Sequence, residues 1–169
     1  MLSEVEIGSV PNGSSLRGNI ARNVPYGPPT NCAARQLPNN QIHDPVGETN
    51  ADRIVGCRWG DAHAAFTQFF TILPPNRPSC SPGGSIESAG VMMTASSNHP
   101  GGVNVVFVDA SARFVTDSID AGNQSWAPPG WNNVGDGGHG GRLPAGLTTS
   151  QYGLWGALGT RAGGESRSL

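Results

Sequence analysis

The sequence predicts a mainly β fold, α+β at most: a small antiparallel sheet wrapped in long loops, with a short C-terminal helix. Three observations carry this. Residues 103–116, Val-Asn-Val-Val-Phe-Val-Asp-Ala-Ser-Ala-Arg-Phe-Val-Thr, alternate and break once, as a β-hairpin does. Gly and Pro supply 25 and 14 of the 169 residues, so much of the chain is loop. Near the end, Leu154, Trp155 and Leu158 fall at i, i+1 and i+4 before Gly159, the spacing of a short helix with a glycine stop.

Each element has its own warrant. In residues 2–10, Glu4 and Glu6 alternate with Val5 and Ile7, which predicts a short strand. Pro11-Asn12-Gly13 then turns the chain. Residues 24–50 hold five prolines and read as loop. In 53–73, Ile54, Val55 and Trp59, then Phe66, Phe69, Phe70, Ile72 and Leu73, have strand composition. The prolines of 74–78 end that block. In the hairpin two registers are open, Val108 with Ser111 or Asp109 with Ala112. Both place Val105, Phe107, Ala112 and Phe114 on the core face. Residues 121–150 are loop-rich, and 162–169 read as a disordered tail on a single domain, 1–169.

Composition narrows the function. The formal net charge is −2 and charged residues make up 13%. A nucleic-acid groove must neutralise several phosphates, and no basic run exists to do so. No stretch approaches about 18 apolar residues, so no membrane insertion by this chain is expected. Residues 1–6 lack the basic and apolar regions of a signal peptide. The three cysteines, Cys32, Cys57 and Cys80, form no C-x-x-C. Two readings stay open: buried or free thiols, or one disulfide plus a cysteine whose partner lies outside this chain.

Four sets of residues are candidates for chemistry. His99 and Asp109 bracket the first hairpin strand. At about 3.3 Å per residue, one strand holds them too far apart to share a metal or a proton. Asp109 is therefore read as an acceptor for turn amides, and His99-Pro100-Gly101-Gly102 as the segment fixing the strand's start. Asp61-x-His63 on one strand face would be half of a zinc or copper site. His43-Asp44 and Asp136 with His139 are looser ligand pairs, and Asp117, Asp120 and Asp136 offer oxygen to calcium. Without tight spacing these are read as solvated loop residues. No cofactor is expected, and a divalent metal such as calcium is the alternative. Ser96 and Ser97 near His99 carry no nucleophile-elbow motif, and no phosphate-loop pattern is present. The expectation is a non-enzyme. Trp126 and Trp131 flank Pro128-Pro129-Gly130 in a loop that can touch a partner.

Several segments together carry a resemblance: Ser97-Asn98-His99-Pro100-Gly101-Gly102-Val103-Asn104-Val105, Phe107-Val108-Asp109-Ala110-Ser111, Arg113-Phe114-Val115 and Asp117-Ser118-Ile119-Asp120. Leu2-Ser3-Glu4-Val5, Arg58-Trp59, Thr71 to Asn76 and Trp155 to Glu165 agree. The chain resembles the prepilin-type, H-x9-DG processing-associated proteins, a planctomycete family of unknown function. Ala110 stands where that pattern has Gly. The resemblance implies the globular head of a pilin- or pseudopilin-like envelope protein, without its N-terminal helix. It implies a structural role in a type II secretion-like or surface assembly, with protein partners or self-association. His99, Pro100, Gly101, Gly102, Asp109, Arg113 and Asp120 are its structural motif. The competing reading is a solute- or glycan-binding module, with Trp126 and Trp131 at the site, or a metal-binding domain. With the helix absent, one sheet face is expected to be undercovered.

Overall fold

The computed structural model describes residues 1–5, 18–43, 54–88, 90–128 and 150–160. In chain order these form β1 (Leu2–Ser3), β2 (Ile20–Ala21), α1 (Thr30–Ala33), β3 (Gln36–Leu37), β4 (Gln41–Ile42), α2 (Ala64–Thr67), β5 (Ser79–Cys80), β6 (Gly102–Val106), β7 (Ala112–Thr116) and α3 (Gly153–Gly159). The architecture is small sheets with few helices, mainly β and α+β at most. The main sheet is antiparallel, in the order β1-β6-β7. β2 pairs with β5 in parallel, and β3 pairs with β4 around a 3-10 turn at Pro38–Asn40.

The hairpin is where the alternation predicts it, but its second strand presents the other face. Val103 pairs with Val115, Val105 with Arg113, and Val106 with Ala112. Val103, Val105 and Val115 are buried, whereas Ala112 is exposed and Phe114 is 47% exposed. Ala112 and Phe114 are therefore not core residues, although Phe107 does pack on the core. The cause is the loop. Phe107 N–H donates to Ser111 O at 2.8 Å, and Ala110 N–H donates to Phe107 O at 3.0 Å. Val108, Asp109 and Ala110 thus form a three-residue connection, with Ala110 at φ +64. Relative to either expected register, the pairing shifts by an odd number of residues. A shift of that kind turns every side chain of β7 over.

The block 54–73 also differs from expectation, since it contains no strand. It holds the single turn of α2 and a series of bends. Its apolar side chains serve three different cores. Val55, Phe66 and Phe70 pack with Ile20, Ile86, Val91 and Met93. Phe69 joins Trp155 and the main sheet. Ile72 and Leu73 join Ala21, Val24, Ile42 and Met92. A strand offers only two faces, so a segment that feeds three clusters has to bend. At the N-terminus, ladder pairing covers only Leu2–Ser3. The rest of the expected 2–10 strand lies largely outside the described residues.

Cys32 and Cys80 are joined in a disulfide, with Cα atoms 5.8 Å apart and a separation of 48 positions in sequence. Both are fully buried, and the bond ties α1 to β5. Cys57 is a half-buried free thiol. Of the two cysteine readings, the disulfide is the one formed.

α3 closes the main core. Trp155 is fully buried, stacks on Phe69 at 6.2 Å, and donates its indole N–H to Leu73 O at 2.9 Å. Leu158 packs beside it, as expected from its spacing. Asp120 fixes the start of this helix. Its carboxylate accepts from Leu154 N–H at 3.2 Å and Gly122 N–H at 2.9 Å, and its carbonyl accepts from Trp155 N–H at 2.9 Å. Gly153, at φ +58, lets the helix start against that carboxylate. A Cβ there would sit 2.4 Å from an Asp120 oxygen.

Candidate functional site

The motif residues gather at the start of β6. Gly102 is buried, and a Cβ on it would meet the Phe114 ring at 2.8 Å. The ring of Phe114 therefore lies over Gly102 on the outer face of the sheet. Gly101 takes φ +80 to feed the chain into β6, and its carbonyl accepts from Asp117 N–H at 2.9 Å. Asn76, buried at φ +58, ties the same corner together. Its amide N–H donates to Asp117 Oδ1 at 2.8 Å, and its oxygen accepts from Ser97 N–H at 2.9 Å.

His99 meets Glu4 across this corner. His99 Nδ1 lies 2.7 Å from Ser97 Oγ and 3.2 Å from Glu4 Oε2. The Glu4 carboxylate also accepts from Asn104 backbone N–H and from Asn104 Nδ2, each at 3.0 Å. It thereby takes over one ladder bond where β1 leaves the sheet, while Glu4 O accepts from Ser96 N–H. Burial alone would raise the Glu4 pKa. The two Asn104 donors outweigh it, with help from Ser97 and His99, and hold the carboxyl down at about 2. Glu4 thus locks β1 onto β6.

A serine, a histidine and a glutamate in contact invite comparison with a catalytic relay. Here Ser97 and Glu4 both address the same ring nitrogen. A relay needs the nucleophile on one nitrogen and the acid on the other, so that a proton passes through the ring. The arrangement found is a polar clamp.

At the other end of β6, Asp109 accepts from Ser111 Oγ at 2.7 Å and Ser111 N–H at 2.9 Å. These two bonds, hydroxyl first, lower its pKa below the usual carboxylate range. His99 and Asp109 occupy opposite ends of one strand and each has its own partners. Arg113 is exposed on β7.

The remaining candidates are dispersed. Asp61 and His63 do not share a strand face. Asp61 Oδ1 accepts from His63 N–H at 3.0 Å and lies 2.6 Å from His63 Nδ1, in the turn before α2. Asp61 also faces Arg58 at 3.4 Å, and Arg58 meets Glu87 at 2.6 Å. His43 Nδ1 lies 3.3 Å from Arg35. Among the described residues, no three His, Cys, Asp or Glu side chains converge as metal ligands. Asp44, Asp136 and His139 lie outside the described residues, as does Trp131. Trp126 is 37% exposed, and its carbonyl accepts from Tyr152 O–H at 3.0 Å. No described helix is long and apolar enough to cross a membrane.

The sheet has one further feature. Leu2 stands opposite Val106, and Val106 opposite Ala112, so all three share the outer face with Phe114. Leu2 is 71% exposed and Val106 39%. Val108, at the hairpin tip, is also exposed. Glu4 and this outer row were not apparent from sequence. Glu4 acts on residues about a hundred positions away, and the outer row depends on one loop residue.

A family model described as a protein of unknown function (DUF1559) matches residues 18–122, well over half of the chain. The chain belongs to the DUF1559 family. That match takes in His99, the hairpin and Asp120, while Glu4 with β1 lies before it and α3 after it. No curated protein and no solved structure matches the chain.

Proposed function

We propose that this DUF1559 domain is a non-enzymatic assembly domain, the globular head of a pilin- or pseudopilin-like envelope protein of the H-x9-DG kind. One observation carries the reading: the outer face of the main sheet exposes Leu2 and Val106 side by side, and Phe114 on the same face opposite Asn104. Several large apolar side chains exposed on one sheet face favour a contact site for protein. The Cys32–Cys80 disulfide favours an extracytoplasmic location, because such bonds persist in oxidising compartments. The clamp geometry at His99 supports a structural role for the motif.

The test is made in cells that carry the natural gene. The protein is expected in the envelope fraction and in high-mass cross-linked adducts. Val106→Lys should leave the purified chain folded and deplete those adducts. A protein that forms no adducts, or one that turns over hydrolase or redox substrates with loss on His99→Ala, would overturn the reading.

A further inference from the structure

We infer that the turn Arg58-Trp59-Gly60-Asp61 is a glycan subsite, with Trp59 as the stacking platform for a β-1,4-linked, gluco-configured oligosaccharide. The inference goes beyond the assembly reading and does not depend on it. Trp59 is 90% exposed, and among the described residues from 54 to 88 no other large hydrophobic side chain is exposed. Tryptophan is highly buried on average in folded chains. The turn that carries this one is tied down on several sides. Asp61 N–H donates to Arg58 O at 3.1 Å and closes it. Thr67 Oγ1 and Gln68 Nε2 donate back to the carbonyls of Asp61 and Ala62, at 2.9 and 3.1 Å. The Arg58 guanidinium lies 4.9 Å from the centre of the Phe66 ring and pairs with Glu87. The tip is thus anchored to the core of Val55, Phe66 and Ile86, so little ordering remains to be done when a ligand arrives.

Gly60 is the second observation. Neither Trp59 nor Gly60 takes a positive φ, so the turn does not call for glycine. A Cβ at position 60 would meet nothing within 4 Å, so packing does not call for it either. A glycine that the fold does not need, beside an indole that the fold does not bury, leaves bare backbone over which a ligand can lie. The groups around the indole select that ligand. Asp61 Oδ1 is engaged by His63, while among the described residues Oδ2 meets only Arg58, at 3.4 Å. The His63 backbone N–H, then its ring, holds the Asp61 carboxyl below the usual carboxylate range, which makes it a charged acceptor for hydroxyl groups. A pyranose with equatorial hydroxyls shows only C–H bonds on its faces and hydroxyls at its rim. Its face meets the negative face of the indole, and its rim meets the carboxylate. A protein anchor would instead be ringed by further contacts that exclude water. An anionic lipid surface would need cations, and here Asp61 and Glu87 outnumber Arg58.

The test is calorimetric titration of the whole chain with cellohexaose and with chitohexaose. Binding at millimolar concentration or below is expected for at least one of them, and the pair that responds tells whether an acetamido group is read as well as the ring face. Trp59→Ala should weaken binding about tenfold or more through loss of the stacked contact. Gly60→Gln should weaken it similarly by standing in the approach. Both should leave the melting point unchanged, because neither position is buried. Trp126→Ala is the control and should leave binding intact. Failure of both sugars to bind overturns the inference, as does binding indifferent to Trp59→Ala or to Gly60→Gln, or binding lost with Trp126 instead. Capture by anionic phospholipid vesicles through Trp59, without a response to either sugar, overturns it in favour of a lipid surface.

Discussion

Replacing Ala110 by glycine should stabilise the domain, although glycine usually weakens a fold. Ala110 sits at φ +64, in the left-handed region, as the last residue of the hairpin loop. A Cβ in that region costs about 1–2 kcal/mol. Glycine removes the cost but gives the unfolded chain more freedom, a loss of about 0.4–1 kcal/mol. The balance is a gain of about 0.5–1 kcal/mol. For a chain of this size that raises the midpoint of thermal unfolding by about 1–4 °C. Ala112→Gly is the internal control. Ala112 pairs regularly in β7 and its φ is not positive, so glycine there should cost about 0.5–1 kcal/mol. Urea unfolding and calorimetry of the parent and both variants measure the two signs. If Ala110→Gly destabilises as Ala112→Gly does, the left-handed turn and the register argued from it are wrong.

Acid should release β1 before the rest of the domain. Glu4 falls from 4.5 when free to about 2 in the fold, so its contribution is complete above pH 4.5 and vanishes as pH drops through 2. Solvent screening at this partly exposed carboxylate holds the contribution to about 1–2 kcal/mol, and Glu4→Gln should abolish that pH dependence in urea titrations between pH 2 and 6. Replacing Cys32 and Cys80 together by alanine frees a loop of 48 residues and should cost about 4 kcal/mol by chain entropy, read from denaturant midpoints. Gly153→Ala should cost more than about 2 kcal/mol, seen as a lowered melting point with loss of Trp155 burial by fluorescence, because its Cβ would collide with the Asp120 carboxylate.

What could be read from the residues follows the range of the interactions involved. α3 was legible because Leu154, Trp155 and Leu158 declare a helix within a few positions, although Gly159 is its last helical residue and the chain leaves the helix at the extended Thr160. The hairpin was legible for the same reason, since alternation and turn are local. Its core face was not, because that depends on whether the loop has an odd or even number of residues, and the left-handed turn that decides it is marked only by the glycine that the H-x9-DG pattern has at Ala110. The phenylalanines of 66–70 announced burial, but which of three cores each would join is a long-range matter. Glu4 looked like the polar side of a short strand, and only the fold brings it to Asn104 and His99. The cysteine pairing stayed open because spacing alone does not bring Cys32 to Cys80.

The disulfide also sets how the domain bears load. If tension is applied at residues 1 and 160, force passes from Cys32 to Cys80 through sulfur and bypasses the chain between them. That loop would otherwise pay out about 160–170 Å of contour length. β3, β4 and α2 lie inside it and stay slack until the covalent bond is cut. β1 lies outside and is held to β6 by a two-residue ladder and the Glu4 clamp. A pulled molecule should therefore yield first at its N-terminal strand, in a short step, and then extend by much less than its residue count implies. Adding a reductant would convert that short-tethered spring into a long one.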